Sequence, residues 1–91
     1  MLNPKIISSF KKDIKKYKHQ HDIINELNIV LGKLLSLQEL DSKYRDHALV
    51  GQWIGSRECH VKPDALLIYR IDGEERLLIL ERFGSHSELF K

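Results

Sequence analysis

The sequence predicts an α+β fold, two N-terminal helices packed on one face of a small, largely antiparallel four-stranded sheet in the order β-α-α-β-β-β. Three observations predict it. Before Asp41 the apolar residues recur at three- and four-residue steps; from Trp53 onward they gather in short runs rich in Ile, Leu and aromatics, without helical spacing; and an Asp-Gly turn separates the last two runs. At 91 residues the chain is one domain's worth, spanning 1–91, and can bury roughly 60–65% of its unfolded surface.

In order, Leu2 to Ile7 reads as a short strand. Ile7, Phe10, Ile14 and Tyr17 then occupy an arc of about 80° on a helical wheel, while Lys11, Lys12, Lys15, Lys16 and Lys18 fill a separate arc of about 160°. One helix thus presses an aliphatic-aromatic edge inward and shows a basic face outward, either simply solvated or binding phosphate or a partner. A second helix follows Asp22 as N-cap, lines up Ile23, Leu27, Val30, Leu31 and Leu34, and ends before Asp41. Trp53–His60, Ala65–Ile71 and Arg76–Phe83 are the remaining strands. Val61-Lys62-Pro63-Asp64 turns the chain between the first two, since proline cannot donate to a sheet ladder, and Asp72-Gly73-Glu74-Glu75 closes the hairpin between the others. The second face of the sheet is left available.

Composition removes whole classes of function. Hydrophobic residues at 42% and charged residues at 31%, with five Gly and two Pro, argue against disorder and low complexity. A single Cys, Cys59, excludes an internal disulfide framework. The most apolar run, Leu77 to Leu80, is far short of the ~20 residues that cross a bilayer, and no secretory apolar region opens the chain, so no membrane partner and a cytoplasmic location are expected. Net charge is +2, yet residues 1–21 hold six Lys against one Asp, a local +5 that leaves −3 for residues 22–91. Such a local basic patch suits nucleic acid, an anionic membrane or an acidic protein.

Three of the five His, namely His47, His60 and His86, fall at the edges of expected strands, where loops build sites. Acid–base chemistry at neutral pH favours such residues, because one imidazole can accept a proton while another donates. Asp64 lies four residues beyond His60, and alternation puts Glu58 on the same strand face as His60, so either carboxylate can orient that ring. Three unrelated surface histidines are the plain alternative. Zinc is not expected: the three positions form no short ligand pair, and one Cys cannot build a Cys-based site. Arg82 has the parity of Leu78 and Leu80, and its plainest role is an ion pair with an acid. No phosphate-cradling Gly loop, nucleophile elbow or dinucleotide fingerprint occurs.

Three blocks carry a resemblance. Tyr44-Arg45-Asp46-His47-Ala48-Leu49-Val50-Gly51-Gln52-Trp53, Arg57-Glu58-Cys59-His60-Val61-Lys62-Pro63-Asp64 and Arg82-Phe83-Gly84-Ser85-His86-Ser87-Glu88-Leu89-Phe90 resemble, in the same order, the YafQ-type branch of the RelE/ParE toxin superfamily. The N-terminal half matches in layout only. The resemblance implies a RelE-like fold and the toxin of a type II toxin–antitoxin system, a cofactor-free endoribonuclease that enters the ribosomal A site and cuts translated messenger RNA. It places His47, His60, Asp64 and His86 on acid–base positions, Phe90 on a C-terminal aromatic implicated in activity, and Arg82 near the scissile phosphate. Ala65 departs from the pattern, standing where close relatives have Trp, so codon preference does not carry over.

The chemistry suits those residues. RNA brings its own nucleophile, the 2′-OH, so a protein needs a base for that proton, an acid for the departing 5′-oxygen and positive charge near the phosphorane, with no metal. His60, oriented by Asp64 or Glu58, and His86 make the base–acid pair; His47 assists or binds phosphate; Arg82 stabilises charge. Phe90 either stacks on a base or pins the chain end to the core. Lys11, Lys12, Lys15 and Lys16 face RNA. Implied partners are a wrapping antitoxin, messenger RNA, 16S ribosomal RNA and, through the antitoxin complex only, operator DNA. Two other functions compete: a ParE-like, non-enzymatic toxin that binds gyrase, and a basic RNA- or ribosome-binding module without cleavage.

Overall fold

The computed structural model describes residues 1–90. The elements are β1 (Asn3–Ile6), α1 (Ser8–Ile14), α2 (His21–Leu35), β2 (His47–Ala48), β3 (Arg57–Lys62), β4 (Ala65–Asp72), β5 (Leu77–Gly84) and α3 (His86–Leu89). Short 3₁₀ turns lie at Lys15–Tyr17, Ser42–Tyr44 and Gly51–Trp53. The α+β class stands, with five strands rather than four and three helices rather than two. β2 has only two residues, too few to show alternation; its pairing of His47 with Glu58 and Ala48 with Arg57 is imposed by the open edge of β3. α3 is a single turn outside the expected elements, opened by a capping box: the Ser85 hydroxyl accepts from the Glu88 N–H, and the Glu88 carboxylate accepts from the Ser85 N–H.

The sheet runs β1-β5-β4-β3-β2, antiparallel except for the β1–β5 pair. β4 is its middle strand, and Ala65 to Tyr69 are buried in succession because both faces are covered. Leu67, Tyr69, Leu78, Leu80 and Phe83 meet Phe10, Leu27, Val30 and Leu34 of the helices on one face. The second face is not simply open: Leu66 and Ile68 lie under Leu49, Trp53 and Leu89.

Local details shift the expected boundaries. The first expected hairpin strand begins at Arg57 rather than Trp53, since Gly51 (φ 68°) and Gly55 (φ 95°) are left-handed and bend the chain on either side of Trp53. α2 starts at His21 with Gln20, not Asp22, at its N-cap: the Gln20 carbonyl accepts from both Ile23 and Ile24 N–H, and Asp22 sits in the first turn, where its charge suits the helix's positive end. In the β4–β5 turn the left-handed residue is Arg76 (φ 56°) rather than Gly73, and the Asp72 carboxylate accepts from the Glu75 N–H at 3.0 Å. A register shift between Ile68 and Tyr69 on β4 leaves Glu81 unpaired on β5, reversing the parity beyond Leu80, so that Phe83 joins the core and Arg82 leaves it.

α2 ends in a Schellman motif, Gln38 N–H to Lys33 C=O at 2.9 Å and Leu37 N–H to Leu34 C=O at 3.1 Å, which forces Leu37 to φ 59°. Leu37 is 59% exposed, so its side chain contributes little packing. Leu37→Gly is expected to stabilise the fold by about 1 kcal/mol, read as a higher urea midpoint at unchanged slope. An unchanged or lower midpoint would refute the assignment of strain to this residue.

Candidate active site

Alternation along β3 puts Glu58 and His60 on the second face of the sheet, beside the Leu66–Ile68 cluster, and the bulge that does occur lies beyond them, between His60 and Lys62. β2 lays His47 directly opposite Glu58. His86 opens α3 at the end of β5, whose Gly84 pairs with Leu66 next to His60. The three connections thus converge. The His47 and His60 rings lie 6.4 Å apart, His60 and His86 5.6 Å, and His86 and Phe90 6.2 Å between centroids.

Two carboxylates divide the imidazoles. Glu58, only 4% exposed, places Oε1 3.4 Å from His60 Nε2 and 3.6 Å from His47 Nε2. Asp64 serves His86 rather than His60: Oδ1 accepts from the His86 backbone N–H at 3.1 Å and from Nδ1 at 3.2 Å. A carboxylate can only accept, so Nδ1 is the donor and Nε2 of His86 is left for another partner. His47 Nδ1 likewise donates to the Arg45 carbonyl at 2.7 Å. Two neighbouring imidazoles on separate carboxylates suit a reaction that removes one proton and returns another. Glu58, His60 and His86 also offer donor atoms within 4.8 Å of one another, a set able to hold a metal ion, which chain spacing could not reveal because the ligands come from β3 and α3.

α3 is held by paired carboxylates of its own. The His86 amide and ring hold the Asp64 carboxyl below the usual carboxylate range. The Ser85 N–H and the Tyr17 hydroxyl do the same for Glu88, whose Oε1 accepts from Tyr17 at 2.8 Å, and burial with this contact pushes Tyr17 up to about 12. Because folding depresses both acids, their contribution is complete above the ordinary carboxylate pKa and fades as pH falls through the lower folded values. Protection of the Ser85 and His86 amides from hydrogen exchange, corrected for the intrinsic rate, should therefore fall below about pH 4. Protection that stays flat down to about pH 2 would exclude these anchors.

The other expected site residues fall in different places. Arg82 gives Nε and Nη2 to Asp13, at 2.6 and 3.2 Å, leaving only Nη1 free of that carboxylate. Phe90 is 39% exposed beside His86, whereas its neighbour Leu89, 8% exposed, is the residue that pins the chain end. Lys11, Lys12, Lys15 and Lys16 are all exposed on the first helix and its 3₁₀ extension, Lys16 lying 3.7 Å from Glu88. Ala65 is buried in the core on the helix side, not at the site. Burial pushes the Cys59 thiol up to about 12, which suits a packing residue and not a nucleophile.

Sequence reasoning missed the supports. Asp46 ties the β2 edge down, accepting from Tyr69 at 2.5 Å and from Arg57 at 3.3 Å. Tyr17 and Glu88 fix α3, and Asp13 fixes the end of β5. The one signal available was Asp13 itself, a lone acid in a lysine-rich helix.

The model of the bacterial YafQ toxin of type II toxin–antitoxin systems matches residues 2–91. The chain belongs to the YafQ family. It is 38% identical over 82 residues to the mRNA interferase toxin YafQ of Escherichia coli strain K12, covering 89% of this chain and 87% of that one. A metal-bound toxin from Helicobacter pylori shares 44% identity, with a TM-score of 0.91 over 99% of this chain and all of that one. YafQ chains from the E. coli DinJ-YafQ complex superpose with a TM-score of 0.87 at 34% identity, covering 100% of both chains. Among the described residues no helix is long and apolar enough to cross a membrane.

Proposed function

We propose that this YafQ-family toxin is a ribosome-dependent endoribonuclease that cuts translated messenger RNA by acid–base catalysis with the RNA 2′-OH as nucleophile. The observation that carries the reading is the pair of imidazoles, His60 and His86, 5.6 Å apart with separate carboxylates, Glu58 and Asp64. One ring takes the 2′-OH proton and the other delivers a proton to the departing 5′-oxygen. Glu58 holds His60 and His47 from below the site, Asp64 holds His86, and His47 supplies charge or a hydrogen bond at the phosphate. Phe90, exposed beside His86, is the stacking surface for a base. Arg82, through its free Nη1, adds positive charge at the margin. The names of the E. coli relatives support cleavage over a non-enzymatic, gyrase-binding mode.

Glu58, His60 and His86 would be the residues to hold a metal ion like that of the H. pylori relative. The ion would supply Lewis-acid charge at an oxygen. The proposed proton transfers need only the chain's own imidazoles, so cleavage is expected to persist in excess chelator. The exposed Lys11, Lys12, Lys15 and Lys16 meet ribosomal RNA. A cognate antitoxin is the partner that the DinJ-YafQ complex of E. coli supports; operator DNA, reached only through such a complex, and a cytoplasmic site of action belong to the same proposal.

Primer-extension mapping of a translated message after brief induction tests the reading. New codon-registered cuts are expected with the wild type, absent when translation is blocked and absent with the His60→Ala/His86→Ala variant. Growth arrest without cuts, undiminished in the variant, would overturn it.

A further inference from the structure

Beside the histidines a groove of about 490 Å³ opens between the 3₁₀ turn at Ser42–Tyr44 and the end of β3, lined by Lys43, Tyr44, Arg45, His60, Lys62 and Pro63. Its size falls within the range of about 300–1,000 Å³ typical of ligand sites. Its charge is lopsided. The one acid on its wall, Glu26, is occupied by the Tyr44 hydroxyl and by Lys43 at 4.0 Å, whereas Arg45 and Lys62 form no ion pair among the described residues. His60 belongs to both groove and cluster, so whatever fills the groove abuts the reacting centre.

A second observation marks Arg45. It is a non-glycine residue in the left-handed region, φ 50° and ψ 41°, closing the turn through its N–H to the Ser42 carbonyl at 3.1 Å. Asp41 caps the same turn by accepting from the Lys43 N–H at 2.9 Å. In this conformation the Arg45 carbonyl receives His47 Nδ1–H, and the residue lines both this groove and the neighbouring recess of Glu39, Asp41 and Asp46. A left-handed non-glycine residue that holds a site histidine through its carbonyl and stands on the wall of the adjoining groove is the kind of outlier that points to function.

We infer that this groove is a ribonucleotide subsite, in which Arg45 and Lys62 hold the phosphates flanking the cleaved bond and the nucleotide lies against Tyr44 and Pro63. The identity of the ligand rests on the RNA-cleaving reading. Single-stranded RNA is favoured over an acidic protein because the groove is one nucleotide-sized recess continuous with His60, not an extended surface.

The test measures binding of a short single-stranded 2′-O-methyl oligoribonucleotide, which cannot be cut, to the full chain across a salt series. Arg45→Asn keeps a residue that tolerates the left-handed backbone, and Lys62→Gln keeps length; Lys5→Ala, on β1 at the opposite end of the sheet, controls for the loss of a cation outside the groove. The expected result is binding roughly tenfold weaker in the double variant, with a log–log salt slope shallower by about 1.4, and no slope change for Lys5→Ala beyond the general charge effect. In cleavage of translated message the loss should fall in KM more than kcat. A slope equal to the control's would overturn the subsite. So would unchanged RNA binding with weakened binding of a polyglutamate peptide, which would give the groove to an acidic protein partner. If instead the groove variants lose RNA binding while the wild type leaves translated message uncut, the subsite stands and the nuclease reading falls.

Discussion

Replacing His86 by alanine is expected to lower the rate of message cleavage by about 10²–10⁴-fold, the range spanned by general acid–base catalysts. The residue stands first in α3, its Nδ1 bound to Asp64 and its other nitrogen free for the substrate. His60→Ala should cost a similar factor, and the double variant little more than either, because groups that act on one reaction as a unit are far from additive. Asp64→Asn separates orientation from proton transfer: an amide can still accept from the His86 amide but no longer carries charge opposite the ring, so an intermediate loss is expected. Single-turnover cleavage on programmed ribosomes reads these rates. Wild-type rates in His86→Ala, with the fold intact by circular dichroism, would remove His86 from the chemistry.

The largest expected effect on stability belongs to Asp13→Ala. β1 pairs with β5 only as far as Leu80, and beyond it α1 takes over the open edge: Ser9 donates to the Glu81 carbonyl at 2.7 Å, and Asp13 accepts from the Phe83 N–H at 3.0 Å. The same carboxylate, on a side chain 8% exposed, receives two Arg82 nitrogens. Removing it leaves a partly buried guanidinium and a buried N–H without partners, a loss of about 2–4 kcal/mol. Asp13→Asn should fall between, and Asp13→Ala/Arg82→Ala should recover part of the loss, since the orphaned cation goes too. Urea unfolding measures all three. An Asp13→Ala midpoint equal to the wild type would mean the pair contributes nothing, as many surface pairs do.

Much of the candidate site's geometry was legible because its residues obey short-range rules. Period-two alternation places Glu58 with His60, proline and aspartate mark the turn that brings Asp64, and the motif blocks point to His47, His86 and Phe90. The supports were not legible. Asp13 and Arg82 are 69 residues apart, Tyr17 and Glu88 71, and Asp64 and His86 22, so no local pattern pairs them.

By itself, then, the sequence determined the α+β class, the helix–helix–hairpin order and the residue types fit for proton transfer, because period, turn chemistry and side-chain chemistry are properties of neighbours along the chain. Tertiary structure alone decided which carboxylate serves which histidine, that Arg82 turns to α1, and that Arg45 and Lys62 share a groove with His60. Those outcomes depend on strand register, on the bulge at Glu81 and on where β1 stops pairing, and each follows from how the whole sheet is packed and its edge hydrogen bonds are satisfied.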